Sequence, residues 1–298
     1  MAKKKRIVKK VKKKKNLKKV KKSKVKRITK KKSRKNNKPA KKVDAVKKHI
    51  VSHKKATRKA KLNKKRIKTG ITNLDKLIGG GFEENSVNMI VGETGSGKTV
   101  FAIQFLIEAL KKGEKCLYVT FEEKKNGVYS DMRTFGWDLE KYERENKFFF
   151  LEYNPEKVKV MLEEGGGEIE TIVVKNKISR LVIDSVTSFA LLFEKELEKR
   201  ESALKLFSMI RNWQCTSLLT LQESPFDRVG GGSASLEFEA DSIMLMYFIR
   251  IKAERERFIE ILKMRGTKHS TKIFSVEIAK KGIIIKRPKK LPSSILKY

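Results

Sequence analysis

The sequence predicts an α/β fold: a RecA-like core with a mostly parallel sheet, helices on both faces, and an antiparallel C-terminal extension. Three observations carry it. Gly92-Glu93-Thr94-Gly95-Ser96-Gly97-Lys98-Thr99 reads G-x-x-x-x-G-K-T, a phosphate-cradling P-loop, set between a β-prone run and a helix-forming run. Short apolar runs that read as buried strands alternate with helical patterns after it. The charge is confined to one end. Residues 1–68 hold 36 of the 73 Lys and Arg and a single acid, Asp44, so +35 of the net +39 sits there and +4 is left for the other 230 residues.

That division predicts two objects. Residues 1–68 form a disordered polybasic arm, unable to bury enough apolar surface to fold by itself. Val43, Val46, Ile50 and Val51 fall roughly on one helical face, a helix that would form only on a partner. The arm reads as an electrostatic grip on nucleic acid, with a solvated charge run or a lipid or protein partner as alternatives. No aromatic interleaves its cations, which argues against base stacking on single strands. Residues 69–290 are long enough for one α/β core, and 291–298 form a short tail. Cys116 and Cys215 sit in apolar runs and read as buried, reduced thiols of a cytoplasmic protein. No run approaches a transmembrane span, and the N-terminus has cations without an apolar leader core.

The elements follow in order. Thr72 or Asn73 would N-cap a short helix that Gly79 ends. Residues 87–91 form the first core strand. In the P-loop, glycines let successive N–H groups turn toward a phosphate, Lys98 reaches the β- and γ-phosphates of ATP, and Thr99 holds Mg²⁺. The helix over 100–110, with Phe101, Phe105 and Ile107, ends at Gly113. Residues 116–121 are the next strand, with Glu122 and Glu123 at its C-terminal end, where ligands of open α/β sheets bind. A carboxylate there can polarise an attacking water; an exposed acidic turn is the other reading. Trp137 reads as core.

Residues 148–151 are a strand and 156–177 mostly helix, broken at Gly165-Gly166-Gly167. Leu181-Val182-Ile183-Asp184 is an apolar strand ending in a carboxylate that would hold the Mg²⁺ shell through water. Ser185 and Ser188 read as caps of the following turn. Leu197, Leu204, Phe207, Ile210 and Trp213 mark the core face of a helix, and 217–221 is a strand with Gln222 just beyond it. Residues 242–248, 256–262, 271–278 and 283–285 read as short antiparallel strands. The basic segment 263–269 lies between two of them and reads, on its residues alone, as a hairpin turn.

Residues 69–81 read T-G-I-T-N-L-D-K-L-I-G-G-G ahead of the P-loop. This lead-in resembles the RecA-like ATPases of the KaiC kind, including the archaeal single-domain members. Y-V-T-F-E-E at 118–123, followed by R-T-F-G-W-D at 133–138, is similar to the same family, where the first Glu is the base. The resemblance therefore implies Glu122, with Glu123 and Lys98, as the catalytic set and Thr134 as a nucleotide contact. K-M-R-G-T-K-H at 263–269 resembles the segment one subunit offers to its neighbour's ATP. It implies that Lys263 and Arg265 act in trans and that Thr267 and His269 touch the same nucleotide. Gln222 stands where RecA-like proteins carry a γ-phosphate sensor and many KaiC-like chains carry Glu. Residues 230–235 should be mobile and, as in RecA-like rings, face a channel that contacts DNA or a client protein.

The resemblance covers 69–288 and departs from the clock protein in three ways. One ATPase domain is present, Glu237-Phe238 stand where its autophosphorylated Ser-Thr pair would fall, and no phosphorelay tail follows Pro288. What it implies is a Mg²⁺-dependent, cytoplasmic ATPase forming a homo-oligomeric ring, a hexamer, with sites shared between subunits and an unknown protein client. The alternatives are a RecA- or RadB-like DNA-binding protein regulated by ATP, and a KaiC-type serine/threonine autokinase.

Overall fold

The computed structural model describes residues 65–165, 167–225 and 234–291. The expected arm up to residue 64, the glycine segment 230–233 and the tail from 292 lie outside the described residues.

Nine strands form one sheet. In chain order they are β3 (Val87–Gly92), β4 (Cys116–Thr120), β5 (Phe148–Glu152), β6 (Arg180–Asp184), β7 (Thr216–Gln222), β8 (Ser242–Ile251), β9 (Glu254–Met264), β10 (Phe274–Ala279) and β11 (Gly282–Pro288). Their order across the sheet is β11-β10-β9-β8-β3-β7-β6-β4-β5. The six from β8 to β5 are parallel, and β9, β10 and β11 extend β8 as an antiparallel meander. A separate ribbon pairs β1 (Arg66–Ile67) with β2 (Phe82–Glu83). β1 thus lies on the N-terminal side of residue 69, within the stretch read as arm.

Each core strand is buried on both faces, which is why its sequence is a nearly unbroken apolar run. The period of two divides those residues between two cores. Val87, Met89 and Val91 pack with Leu181, Ile183 and Leu219 under α5 (Pro155–Glu164), α6 (Gly167–Asn176) and α8 (Glu196–Asn212). Ile90, Cys116, Tyr118 and Val182 pack under α2 (Lys98–Leu110), α3 (Lys125–Arg133) and α4 (Leu139–Arg144). On α2, Phe101 and Phe105 are fully buried, each contributing about 1.5–3 kcal/mol of transfer free energy. Gln104 ties the same helix to both flanks: its Nε2 donates to Gly70 O at 2.9 Å and its Oε1 accepts from Ile283 N at 2.6 Å.

Three local expectations are corrected. Asn73 precedes α1 (Leu74–Leu77) with φ 69° and no capping hydrogen bond from its side chain; its Nδ2 donates to Ile285 O at 2.9 Å, holding the lead-in against β11. Leu197 and Leu204 are 70% and 44% exposed. The buried stripe of α8 is Ala203, Leu206, Phe207 and Ile210, and at 100° per residue Leu197 and Leu204 fall on its flank. Ser185 and Ser188 do not cap α7 (Thr187–Ala190), whose N-cap position is Val186. Among the described residues, no helix is long and apolar enough to cross a membrane.

Candidate functional site

The chain leaves β3 through the P-loop and α2 and re-enters the sheet at β4, skipping the places that β7 and β6 fill. That crossover opens a crevice at the carboxyl ends of the strands, the place where open α/β sheets bind ligands. Strand order thus brings β3, β7, β6 and β4 to one edge, although 85 residues separate Thr99 from Asp184.

The side chains converge there. Thr99 Oγ1 donates to Asp184 Oδ2 at 2.8 Å, the buried Tyr118 hydroxyl donates to the same oxygen at 2.9 Å, and Thr220 Oγ1 donates to Asp184 Oδ1. Lys98 Nζ donates to Glu93 O at 3.0 Å. Lys98 is 8% exposed, and burial lowers its pKa against the opposing pull of Asp184, Glu122 and Glu93. The cationic form is therefore under-compensated until an anion arrives. Burial, followed by the Asp184 carboxylate, holds the Tyr118 phenol well above its ordinary range, so it is a fixed donor.

Glu122 and Glu123 follow β4 with their backbone N–H groups both donating to Thr120 Oγ1, at 3.2 and 3.0 Å. Ser185 and Ser188 each donate to Glu122 Oε1 at 2.8 Å, so both serines orient this carboxylate. The Asp184–Ser185 peptide bond is cis. Glu123 is different. Crowding by protein atoms, then the Asp184, Asp131 and Glu122 carboxylates, raise its pKa. Its side chain keeps solvent-accessible surface, so water screens part of that effect. Gln222 ends β7 in register with Gly92, its N–H donating to Thr187 Oγ1 at 2.7 Å.

A nucleotide and its metal fit these residues. Ser96 Oγ is buried in the P-loop without a hydrogen-bond partner, a cost of about 1–3 kcal/mol that a phosphate oxygen would remove. Gly95 and Gly97 hold φ 79° and 103°, a left-handed backbone that turns N–H groups inward. Arg257, which the sequence reading did not single out, supports the cradle from β9: its Nε donates to Gly95 O at 2.9 Å while its guanidinium lies 4.2 Å over the Phe248 ring.

Lys263, Arg265, Thr267 and His269 are not brought to this edge. β9 runs antiparallel to β8, so Met264 pairs with Ser242 at the strand's beginning, while Met246 pairs with Gly92. Arg265 N donates to Asp241 O at 2.8 Å, and Asp241 N to Val87 O at 2.7 Å. The basic segment therefore sits by the start of β3, about 16 Å of strand from the P-loop. There Lys263 Nζ donates to Glu237 O and Phe238 O at 3.2 and 3.0 Å, and Arg265 Nη2 to Phe238 O at 2.7 Å, all at the end of α9 (Ala234–Glu239). Burial, then Arg265, lowers the Lys263 pKa against Asp241, Glu239 and Glu237. Thr267 accepts from Arg66, Ser270 N donates to Leu77 O at 3.0 Å, and His269 Nδ1 lies 3.0 Å from Ser270 O. The 69–81 lead-in and the 263–269 segment, two separate sequence patterns, pack on each other. Thr134 ends α3 with its hydroxyl donating to Asp131 O at 2.6 Å, and it makes no hydrogen bond with the P-loop.

The parallel sheet, the P-loop and the strand-end carboxylate define a RecA-like P-loop fold. Residues 67–290 match the family described as ATPase: KaiC, and the chain belongs to it. A UPF0273 protein of Thermotoga maritima is 33% identical over 234 residues, covering 74% of this chain and 96% of that one. The circadian clock protein KaiC3 of Synechocystis is 33% identical over 229 residues, and this chain spans only 45% of its length. A solved KaiC-like protein from Pyrococcus horikoshii superposes with a TM-score of 0.66 at 36% identity, covering 76% of this chain and all of that one.

Proposed function

We propose that the chain is a Mg²⁺-dependent ATPase that assembles as a ring, a hexamer, in which each catalytic site is completed by the neighbouring copy. The observation that carries the ATPase reading is the Thr99 hydroxyl on Asp184 at 2.8 Å, beside a P-loop holding the partnerless Ser96 hydroxyl. Lys98 would turn from Glu93 O to a phosphate, whose negative charge would stabilise the cationic form that burial disfavours. Thr99 and, through water, Asp184 would hold Mg²⁺. Held there, the ion would supply positive charge against the negative charge that develops in phosphoryl transfer. Glu122, gripped through Oε1 by two serines, keeps Oε2 as an acceptor for the attacking water. Lys263 and Arg265 support the shared site by their position: far from their own P-loop, they suit a neighbour's nucleotide.

Nucleotide binding and turnover test this reading. Lys98→Ala loses about thirtyfold or more in affinity, since truncating a buried, hydrogen-bonded charge costs about 2–5 kcal/mol. Asp184→Asn keeps nucleotide and loses Mg²⁺-dependent turnover. A Lys98→Ala protein hydrolysing ATP at the parental rate would end the reading of residues 92–99 as the catalytic P-loop.

We further propose that the arm over 1–68 binds nucleic acid, on the strength of its +35 charge. Log affinity for duplex DNA then falls with log salt at about −0.9 per phosphate neutralised. Deleting 1–68 removes that slope and leaves ATPase activity in place. A truncated protein that binds DNA as tightly at every salt concentration refutes it.

A further inference from the structure

Asp184 is 8% exposed at the end of β6, and three elements grip its carboxylate. Thr99 from α2 and Tyr118 from β4 both donate to Oδ2, and Thr220 from β7 donates to Oδ1. A carboxylate offers about four lone-pair sites, so three are taken within the chain and one is left, on Oδ1. Two of the three donors have no evident use except this one. Tyr118 is fully buried, its ring stacked on Phe150 at 5.3 Å, and a phenylalanine would fill the same volume. Thr220, also fully buried, stands at a point in β7 where valine would pack equally well. Burying a hydroxyl costs free energy unless it finds a partner, and both hydroxyls find the same one.

We propose that Tyr118 and Thr220 are positioning residues for the metal shell, fixing the Asp184 carboxylate so that it accepts one metal-bound water on Oδ1 rather than ligating the metal directly. This rests on the reading of Asp184 as the metal-shell carboxylate. A carboxylate with one open acceptor site suits a hard ion that keeps its waters, as Mg²⁺ does. Thr99 keeps its lone pairs for the ion while its hydroxyl proton points to Asp184 Oδ2. Losing either Tyr118 or Thr220 removes one of the three restraints on the carboxylate and opens a second acceptor site, so the direction of the site left for the metal shell is less fixed.

The test is the fluorescence of a mant-labelled ADP bound to the full chain, titrated in Mg²⁺ and in EDTA. The ratio of the two affinities reports how strongly metal and nucleotide are coupled. Tyr118→Phe and Thr220→Val each reduce that ratio about tenfold, the scale on which partners of metal ligands act, and leave the EDTA affinity unchanged. Thr220→Ser, which keeps the hydroxyl, restores the parental ratio. A purely structural role would lower the thermal midpoint in EDTA and leave the ratio alone. If Tyr118→Phe fails to fold, Thr220→Val carries the test by itself. Folded variants with the parental ratio overturn the proposal. Should the parent and Asp184→Asn both lack any Mg²⁺ gain, the reading of Asp184 itself falls and takes this inference with it.

Discussion

The two edges of the sheet hold comparable residues and treat them differently. At the carboxyl edge, the P-loop with its Lys98, Glu122 and Asp184 come from three segments and are tied down by side-chain hydrogen bonds. At the opposite edge, Lys263 and Arg265 share a strand end and its turn, and they donate to the carbonyls that close α9. Lys98 is buried and its charge is under-compensated; Arg265 is about half exposed and paired with Asp241 at 3.4 Å. The first arrangement is a site awaiting an anion. The second is a pair of cations held at the surface, with one strand's length between them and their own P-loop. Parallel strands gather the P-loop, Glu122 and Asp184 inside the chain, and the antiparallel meander carries Lys263 and Arg265 to the far side.

The largest effect expected from this comparison is in rate. If Arg265 acts on a neighbour's nucleotide, Arg265→Ala loses about 10³–10⁵ in turnover, as for trans-acting arginines in other phosphoryl-transfer systems, and still binds nucleotide. Glu122→Gln is also nearly inactive, for want of an oriented water. Mixing the two mutants creates interfaces with both residues intact. Activity returns to about a quarter of the parental rate if subunits mix at random and sites are independent, a fraction that coupling would alter. Exchanging mutants that stay as inactive as each alone would break the division between the edges.

A smaller effect sharpens the link between the lead-in and the basic segment. Gly79 holds φ 70°, and a Cβ there would lie 2.9 Å from Thr267 Cγ2. Gly113 has φ 78° with nothing within 4 Å of the same atom. Gly113→Ala therefore costs the left-handed strain, about 1–3 kcal/mol. Gly79→Ala costs that strain and also displaces Thr267 from Arg66. Chemical denaturation of both variants, beside their ATPase rates, separates the two terms. Equal stability and equal activity would show that Gly79 is only a turn residue.

How much of this was legible depends on what kind of signal carries it. β3, β4, β6 and β7 match their apolar runs to within a residue or so, because strands buried on both faces need such runs. The P-loop and Asp184 were legible from motif and spacing. Arg257 was not, because it is one cation among several in the β8–β9 hairpin. Nor were the Tyr118–Asp184 bond and the two serines on Glu122, which join residues 66, 63 and 66 positions apart. Those contacts depend on β6 lying beside β4, and no periodicity in one strand specifies its neighbour. The visible clue was a hydroxyl inside a run that is otherwise apolar, at Tyr118 and again at Thr220. The exposed Leu197 and Leu204 show the opposite failure, since a helical period that fits the count can still be drawn a quarter-turn off the buried stripe.

The smallest effect tests the carboxyl edge by its own titration. Crowding and the carboxylates of Asp184, Asp131 and Glu122 raise the Glu123 pKa in the folded chain above its ordinary 4.5. The folded state then keeps its proton to higher pH than the unfolded state does. Stability changes with pH in proportion to protons bound unfolded minus protons bound folded, so this difference is negative through the window. Glu123 thus takes stability away as pH rises from the unfolded value through the folded one, and the loss is constant above it. Below the unfolded value both states are protonated and the contribution vanishes. Glu123→Gln removes the titration. Its thermal midpoint should match the parent's in acid, rise above it across that window, and stay above it at neutral pH. Arg265→Ala, at the other edge, should leave this pH-dependent difference in place when combined with Glu123→Gln. A Glu123→Gln difference that is flat in pH would mean that the three neighbouring carboxylates do not crowd Glu123. The carboxyl edge would then lack the concentrated negative charge that a metal ion is expected to relieve.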